Sequence, residues 1–282
     1  MGIRIVTDSA SDMANGDRND VTVLPLKVRF GEEEFMDGVD ISHKEFYEKL
    51  IETEELPITS QATPYDFEKV YKEAALSGDT LIVITLSSKL SGTYQSAVVA
   101  AADYDNIYVV DSENVTVGEH ALIEFALNLK DSGMAAADIV NLLEREKKNI
   151  RLVALLDTLE YLKKGGRISK TAAVAGSLLS IKPVIAIENG EVVMLGKARG
   201  SRHGNNLLVQ KINESGGIDF DKPYILGYTG LSDALLRKYI ADSEALWRGE
   251  AESLEITTVG AVIGTHVGPG AIAVAFFAKT QG

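Results

Sequence analysis

Four short polar stretches in this chain carry side chains suited to an anionic ligand. Thr7-Asp8-Ser9 follows the first apolar run, and Thr59-Ser60-Gln61 stands just before Thr63-Pro64. Ser87-Ser88-Lys89-Leu90-Ser91-Gly92-Thr93 follows the apolar run 80–86, and Asp111-Ser112 follows 107–110. Hydroxyls beside the free N–H groups of a helix start favour negative charge. Taken singly, each stretch is also an ordinary helix cap, because Ser, Thr and Asp are the preferred N-cap residues. Four of them at the ends of apolar strands form the pattern of a crevice on which several helix starts converge.

Charge patterning adds a second signal. The chain carries 28 Lys and Arg against 41 Asp and Glu, a net charge of −13. An acidic surface repels phosphate backbones, which argues against a general nucleic-acid binder. Between Lys163 and His203 the balance reverses. Lys163, Lys164, Arg167, Lys170, Lys182, Lys197, Arg199 and Arg202 face only Glu188 and Glu191. Such an island suits an anionic ligand or partner; charge alone describes a solvated face equally well.

The four histidines, His43, His120, His203 and His266, have no i, i+4 pairing, and no metal site is expected from them. His266 lies in Gly264-Thr265-His266-Val267-Gly268-Pro269-Gly270, read as a glycine loop between two strands. Glycines let backbone approach a ligand closely, although a lone His in such a loop is as readily structural. Ser91 and His266 as nucleophile and base would suit acyl transfer, given an orienting acid and an oxyanion hole. Cysteine is absent, which removes thiol catalysis, Cys-ligated zinc and disulfides, and fits a reducing compartment. The sequence has no GxxxxGK[ST], GxGxxG, HExxH or GxSxG motif.

The elements that must position these residues follow from periodicity. In the N-terminal half, strands are expected at Ile3–Thr7, Val21–Phe30 (with Pro25 marking an edge or bulge), Thr80–Leu86 and Ile107–Asp111. Helices are expected at 42–51, where Ser42 and Glu45 form a capping box, at 64–75 behind Thr63, and at 93–102, 112–133 and 135–148. Strands separated by helices imply a parallel sheet. In the C-terminal half, 183–188 and 191–197 flank Asn189-Gly190, a strong hairpin signal. Strands at 152–156, 224–228, 254–259 and 271–278 and helices at 159–164, 171–179 and 231–245 complete an α+β pattern. The expected architecture is an N-terminal α/β domain, residues 1–150, and a C-terminal α+β domain, residues 151–282. No run approaches the about 18 apolar residues of a membrane-spanning helix, and the first apolar run is too short for a signal peptide. The protein is expected to be cytoplasmic, without stable membrane insertion.

In these segments the chain resembles the DegV family, bacterial fatty-acid-binding proteins also called fatty acid kinase B subunits. The resemblance rests on Thr7 to Asp12, Thr59-Ser60-Gln61, Leu90 to Ala97, Val110-Asp111-Ser112, Gly118 and Leu159 to Ser169. It continues through Ile181 to Val184, Lys197-Ala198-Arg199 and His266 to Gly270, in family order over nearly the whole chain. The family commonly has Pro after Thr-Ser-Gln. Here Ala62 takes that place and Pro64 follows two later.

The resemblance implies a carrier, not a catalyst, with no cofactor and no metal. One long-chain fatty acid, such as C16–C18, would lie between two α/β domains. Its carboxylate would meet Thr59 and Ser91, with His266 and Arg167 near the head group. Arg199 matches a position for docking a separate ATP-dependent fatty acid kinase, whose acyl phosphate product would pass to an acyltransferase for phospholipid synthesis. Neutral hydroxyl donors suit a carboxylate that must remain nucleophilic. Burying about 14 methylenes at about 0.8 kcal/mol each contributes roughly 11 kcal/mol as an upper bound. The expected tunnel lining includes Leu26, Val28, Ala172, Ala175, Leu178 and Ile263. The alternatives are a stand-alone acyl hydrolase using Ser91 and His266, or a lipid-sensing regulatory protein.

Overall fold

The computed structural model describes residues 2–14, 16, 18–168, 181–247, 249, 251 and 254–279. In chain order, the N-terminal strands are β1 (Ile3–Asp8), β2 (Val21–Leu24), β3 (Lys27–Phe30), β4 (Glu33–Met36), β5 (Ile58–Ser60), β6 (Thr80–Thr85) and β7 (Ile107–Asp111). The helices among them are α1 (His43–Glu52), α2 (Pro64–Ser77), α3 (Thr93–Ala100), α4 (Val117–Asp131) and α5 (Ala136–Glu146). Then follow β8 (Ile150–Leu155), α6 (Glu160–Lys164), β9 (Ile181–Glu188), β10 (Glu191–Arg199), α7 (Ser201–Glu214), β11 (Tyr224–Tyr228), α8 (Ala234–Asp242), β12 (Ile256–Thr258), α9 (Ala261–Val267) and β13 (Ile272–Phe277).

Three sheets result. β2-β1-β6-β7 is wholly parallel, as the strand–helix alternation implies. Of its inner strands, TLIVIT is a near-continuous apolar run and IRIVTD buries its last four residues, as burial on both faces requires. The six-stranded sheet β10-β9-β8-β13-β11-β12 is antiparallel except for the β11–β12 pair. A small antiparallel sheet, β4-β3-β5, carries Thr59.

α4 joins the two large sheets. It packs against β1 and β6 on one side and β8, β11 and β13 on the other. Nine of its fifteen residues are buried, Glu119 and His120 among them, as a helix between two sheets requires. The six-stranded sheet divides its side chains by the period-two rule. Leu152, Ala154, Ile185, Ile187 and Ala273 face the N-terminal core. Val153, Leu155, Val184, Val274 and Phe276 face a second core with residues of α7 and α8.

Several local expectations hold. The Ser42–Glu45 capping box is present, and Thr63 caps α2 with Pro64 in the first turn. Asn189 and Gly190 both take positive φ, 51° and 81°, between the paired strands β9 and β10.

Others are corrected. The run 21–30 is two strands in different sheets. Pro25 supplies no N–H for a ladder, and Leu26 N donates instead to Ser9 Oγ at 3.0 Å. α4 begins at Val117, not at 112, because the Ser112 hydroxyl accepts from Asn114 N at 3.1 Å and holds a turn. His266 lies in a helix, α9, not in a loop. The helix expected at 231–245 is confined to 234–242. Val28 lies in a side cluster with Phe30, Phe46 and Tyr47, away from the expected tunnel. The helix expected at 171–179, with Lys170, Ala172, Ala175 and Leu178, falls outside the described residues.

Candidate functional site

A cavity of about 370 Å³ lies between the six-stranded sheet and the N-terminal half, within the size range of small-molecule sites. Its floor crosses the sheet. It takes Val192 from β10, Ile185 and Ile187 from β9, Leu152 and Ala154 from β8, Ala273 from β13, Gly227 from β11 and Val259 just after β12. Five inter-strand steps of about 4.8 Å give a length of roughly 24 Å. Ala154, Ala273 and Gly227 stand opposite one another across three strands. Small side chains in register leave a trough there. Leu26, Leu86, Val115 and Ile263 close the opposite wall.

The four head-group candidates line this one cavity: Thr59, Ser91, Arg167 and His266. β5 pairs Thr59 with Val28 of β3 and so fixes its place. His266 sits in the last turn of α9, and Thr59 Oγ1 lies 2.9 Å from His266 Nε2. The imidazole is held well below its ordinary pKa, at about 4, first by burial and then by the Arg167 charge, so it is neutral near pH 7. Its Nδ1 is buried with no hydrogen-bond partner among the described residues. With its proton on Nε2 the ring would donate to Thr59 Oγ1 and leave no unmet N–H at Nδ1. The Thr59 hydroxyl hydrogen is then free to donate into the cavity. Gly165 makes this possible, since a Cβ at that position would lie 2.2 Å from His266 Nδ1.

Ser91 precedes α3. Its Oγ accepts from Thr93 N at 3.2 Å and lies 2.9 Å from Thr93 Oγ1. The hydroxyl partner of His266 is therefore Thr59, and that of Ser91 is Thr93. The base–nucleophile contact a hydrolase would need is not formed. Arg167 donates to Gly165 O at 2.7 Å and Leu90 O at 3.3 Å. It lines both this cavity and an adjoining groove along β10 with Lys89, Glu191 and Lys197.

Not every expected residue converges. Thr7, Asp8 and Ser9 are buried and bond within the protein. Asp8 accepts from Ala10 N and Leu86 N, each at 3.0 Å, and burial raises its pKa to about 7. Asp111 accepts from Ser88 N and Glu113 N. These two stretches are turn and cap chemistry, and only 59–61 and 90–92 reach the cavity. Arg199 ends β10 on the surface, away from the cavity lining. Lys182 of the basic island is paired with Asp157. Gly165 escaped the sequence reading as a site residue, and Gln61 was read only as part of the Thr59-Ser60-Gln61 stretch. Gln61 lines the cavity and donates to Ser96 Oγ at 2.9 Å; its place beside Thr59 was the available signal. Among the described residues no group of three or more His, Asp or Glu is arranged to hold a metal, and no helix is long and apolar enough to cross a membrane.

Comparison with known proteins places these features in a wider set. A model described as "Uncharacterised protein, DegV family" matches residues 2–279. A DegV domain-containing protein of Caldanaerobacter subterraneus is 35% identical over 283 residues, covering 98% of this chain and 99% of that protein. Among solved structures, a DegV family protein from Thermus thermophilus, described by its fatty acid binding, is 31% identical with a TM-score of 0.88; the match covers 99% of this chain and 100% of that one. A stearic acid-binding protein from Eubacterium ventriosum is 28% identical with a TM-score of 0.83, covering 98% of this chain and 97% of that one.

Proposed function

Because the chain belongs to the DegV family, we propose that its cavity binds one long-chain fatty acid and that the protein is a carrier without turnover of its own. The observation that carries this reading is the cavity itself, apolar along its floor and supplied with Thr59, Ser91, His266 and Arg167. Its length of roughly 24 Å exceeds the about 15 Å that one leaflet of a bilayer's hydrocarbon core spans, so it has room for a long acyl chain. The Thr59 hydroxyl, turned outward by His266, is a neutral donor for the carboxylate. Arg167 adds a positive charge at the same cavity. The relatives from Thermus thermophilus and Eubacterium ventriosum, described as binding fatty acid and stearic acid, support the same class of ligand.

The finer reading is that the carboxylate is presented to a separate ATP-dependent fatty acid kinase, and that the acyl phosphate passes to an acyltransferase for phospholipid synthesis. Arg199, exposed at the end of the edge strand β10, and Lys197, on the groove that Arg167 also lines, would meet that partner. The chain is expected to act in the cytoplasm. The division at residue 150 then separates the half that carries Thr59 and Ser91 from the half that supplies the cavity floor.

The test is a thermal-shift series on lipid-stripped protein with saturated acids from C10 to C18. Stabilisation should grow with chain length and then stop where the trough is full. No stabilisation at any length overturns the ligand assignment.

A further inference from the structure

Beside the cavity runs a polar seam between residues distant in sequence. Asp12 Oδ1 accepts from Gly260 N at 2.7 Å. Asp37 Oδ1 accepts from Ala261 N at 2.9 Å, and its Oδ2 from Val262 N at 3.2 Å. Tyr47 Oη donates to Val259 O at 2.9 Å, and Thr257 Oγ1 donates to Asp12 O at 3.2 Å. Five hydrogen bonds thus reach residues 257–262 from three points in the first 47 residues. Asp12 and Asp37 are 7% and 2% exposed, and no Lys or Arg pairs with either among the described residues. Two buried acids are a costly way to hold a backbone, which neutral groups could have held.

What the seam holds is the first turn of α9. A seven-residue helix has no stability of its own, so its anchor sets its orientation. Val262, Ile263, His266 and Val267 of this helix line the cavity. His266 stands four residues beyond Val262, about 6 Å along the axis.

We propose that Asp37, with Asp12 beside it, is a positioning residue for the ligand site, fixing the first turn of α9 and thereby the place of His266 against Thr59. Gly260 belongs to the same device. A Cβ there would lie 3.0 Å from Asp12 Oδ1 and 3.2 Å from both Asp37 oxygens. Its φ of −72° is ordinary for any residue, so Gly260→Ala is a wedge driven between the two carboxylates without removal of either.

The effect on ligand release rests on the fatty-acid reading above, whereas the effect on His266 does not. The experiment therefore compares wild type, Asp37→Asn and Gly260→Ala by two measurements. The first is the imidazole ¹H–¹⁵N spectrum of His266 in lipid-stripped protein. The second is the rate at which stearate leaves the protein for phosphatidylcholine vesicles. Both variants should shift or broaden the His266 Nε2–H signal, and stearate should leave about tenfold faster from Asp37→Asn, the equivalent of one charge-assisted hydrogen bond. A variant with a lower Tm but an unmoved His266 signal and unmoved release rate overturns the proposal and leaves Asp37 merely structural. If wild type binds no stearate, the ligand reading fails and the imidazole signal alone decides. If Asp37→Asn does not fold, Gly260→Ala carries the test.

Discussion

Thr59 Oγ1 and His266 Nε2 lie 2.9 Å apart although 207 residues separate them in the chain. One comes from a three-residue strand of the small sheet and the other from a seven-residue helix near the C-terminus. Neither element is stable alone. Their meeting is a product of the whole fold, and it sets a hydroxyl beside an imidazole on the cavity wall.

Thr59→Val keeps the shape and removes the donor. Stearate affinity should fall about tenfold, the value of one hydrogen bond to a charged group. Affinity for methyl stearate, which has no carboxylate charge, should change much less. Titrations with both ligands check this, and equal losses would show that Thr59 acts on the tail or the fold.

The floor offers a separate handle. Ala273→Leu should fill the trough between Ala154 and Gly227, its register neighbours. Stability should change by no more than about 1–3 kcal/mol, the usual range for added core volume. Preference should move from stearate toward dodecanoate by at least about tenfold, measured as a ratio of dissociation constants. An unchanged ratio would mean the tail does not cross this row.

The pH dependence of stability carries a sign. The pKa of His266 falls from 6.5 to about 4 on folding. The unfolded chain takes up a proton near pH 6.5, while the folded protein resists until about 4. The stability this provides is complete above pH 6.5 and is lost as pH falls toward 4, by roughly 3 kcal/mol at most. His120 is displaced to about 4 in the same sense, and Asp8, raised to about 7, opposes both, since its contribution is lost as pH rises through 7. Urea unfolding of wild type and His266→Gln at pH 7.5, 6 and 4.5 isolates one of them. The variant should lose less stability on acidification, and parallel curves would contradict a buried neutral imidazole.

Arg199→Glu should leave stearate affinity within about twofold, because the residue lies outside the cavity lining. Phosphorylation of the bound acid by a fatty acid kinase should fall at least about tenfold, as expected for a reversed charge at an interface. Undiminished phosphorylation with ligand still bound removes Arg199 from the docking surface.

Local chemistry was legible in the sequence. The Ser42–Glu45 box, the Thr63-Pro64 start and the Asn189-Gly190 turn each depend on residues a few positions apart, and each formed as read. The family motifs carried Thr59, Ser91, Arg167 and His266 to one cavity, which periodicity alone does not do. The failures are tertiary. Gly264 read as the start of a loop around His266, yet it sits in a helix where a Cβ would meet Phe46 and Tyr47, and Gly260 opens that helix where a Cβ would meet two carboxylates. No helix was expected over α7, where Gly204 answers to Leu155, which would stand 2.9 Å from a Cβ. Asp12 stood in a family motif and Asp37 in none, and neither anchoring role was legible, since their backbone partners lie 224 or more residues away.

In the proposed function the cavity between the sheets holds a single acyl chain. This is tested most directly by denaturing the purified protein, extracting it with organic solvent and measuring the extract by mass spectrometry. The expected extract holds close to one long-chain fatty acid per protein, with about 16 to 18 carbons for a trough of roughly 24 Å. An extract empty of fatty acid, from protein that added stearate also fails to stabilise, would contradict it.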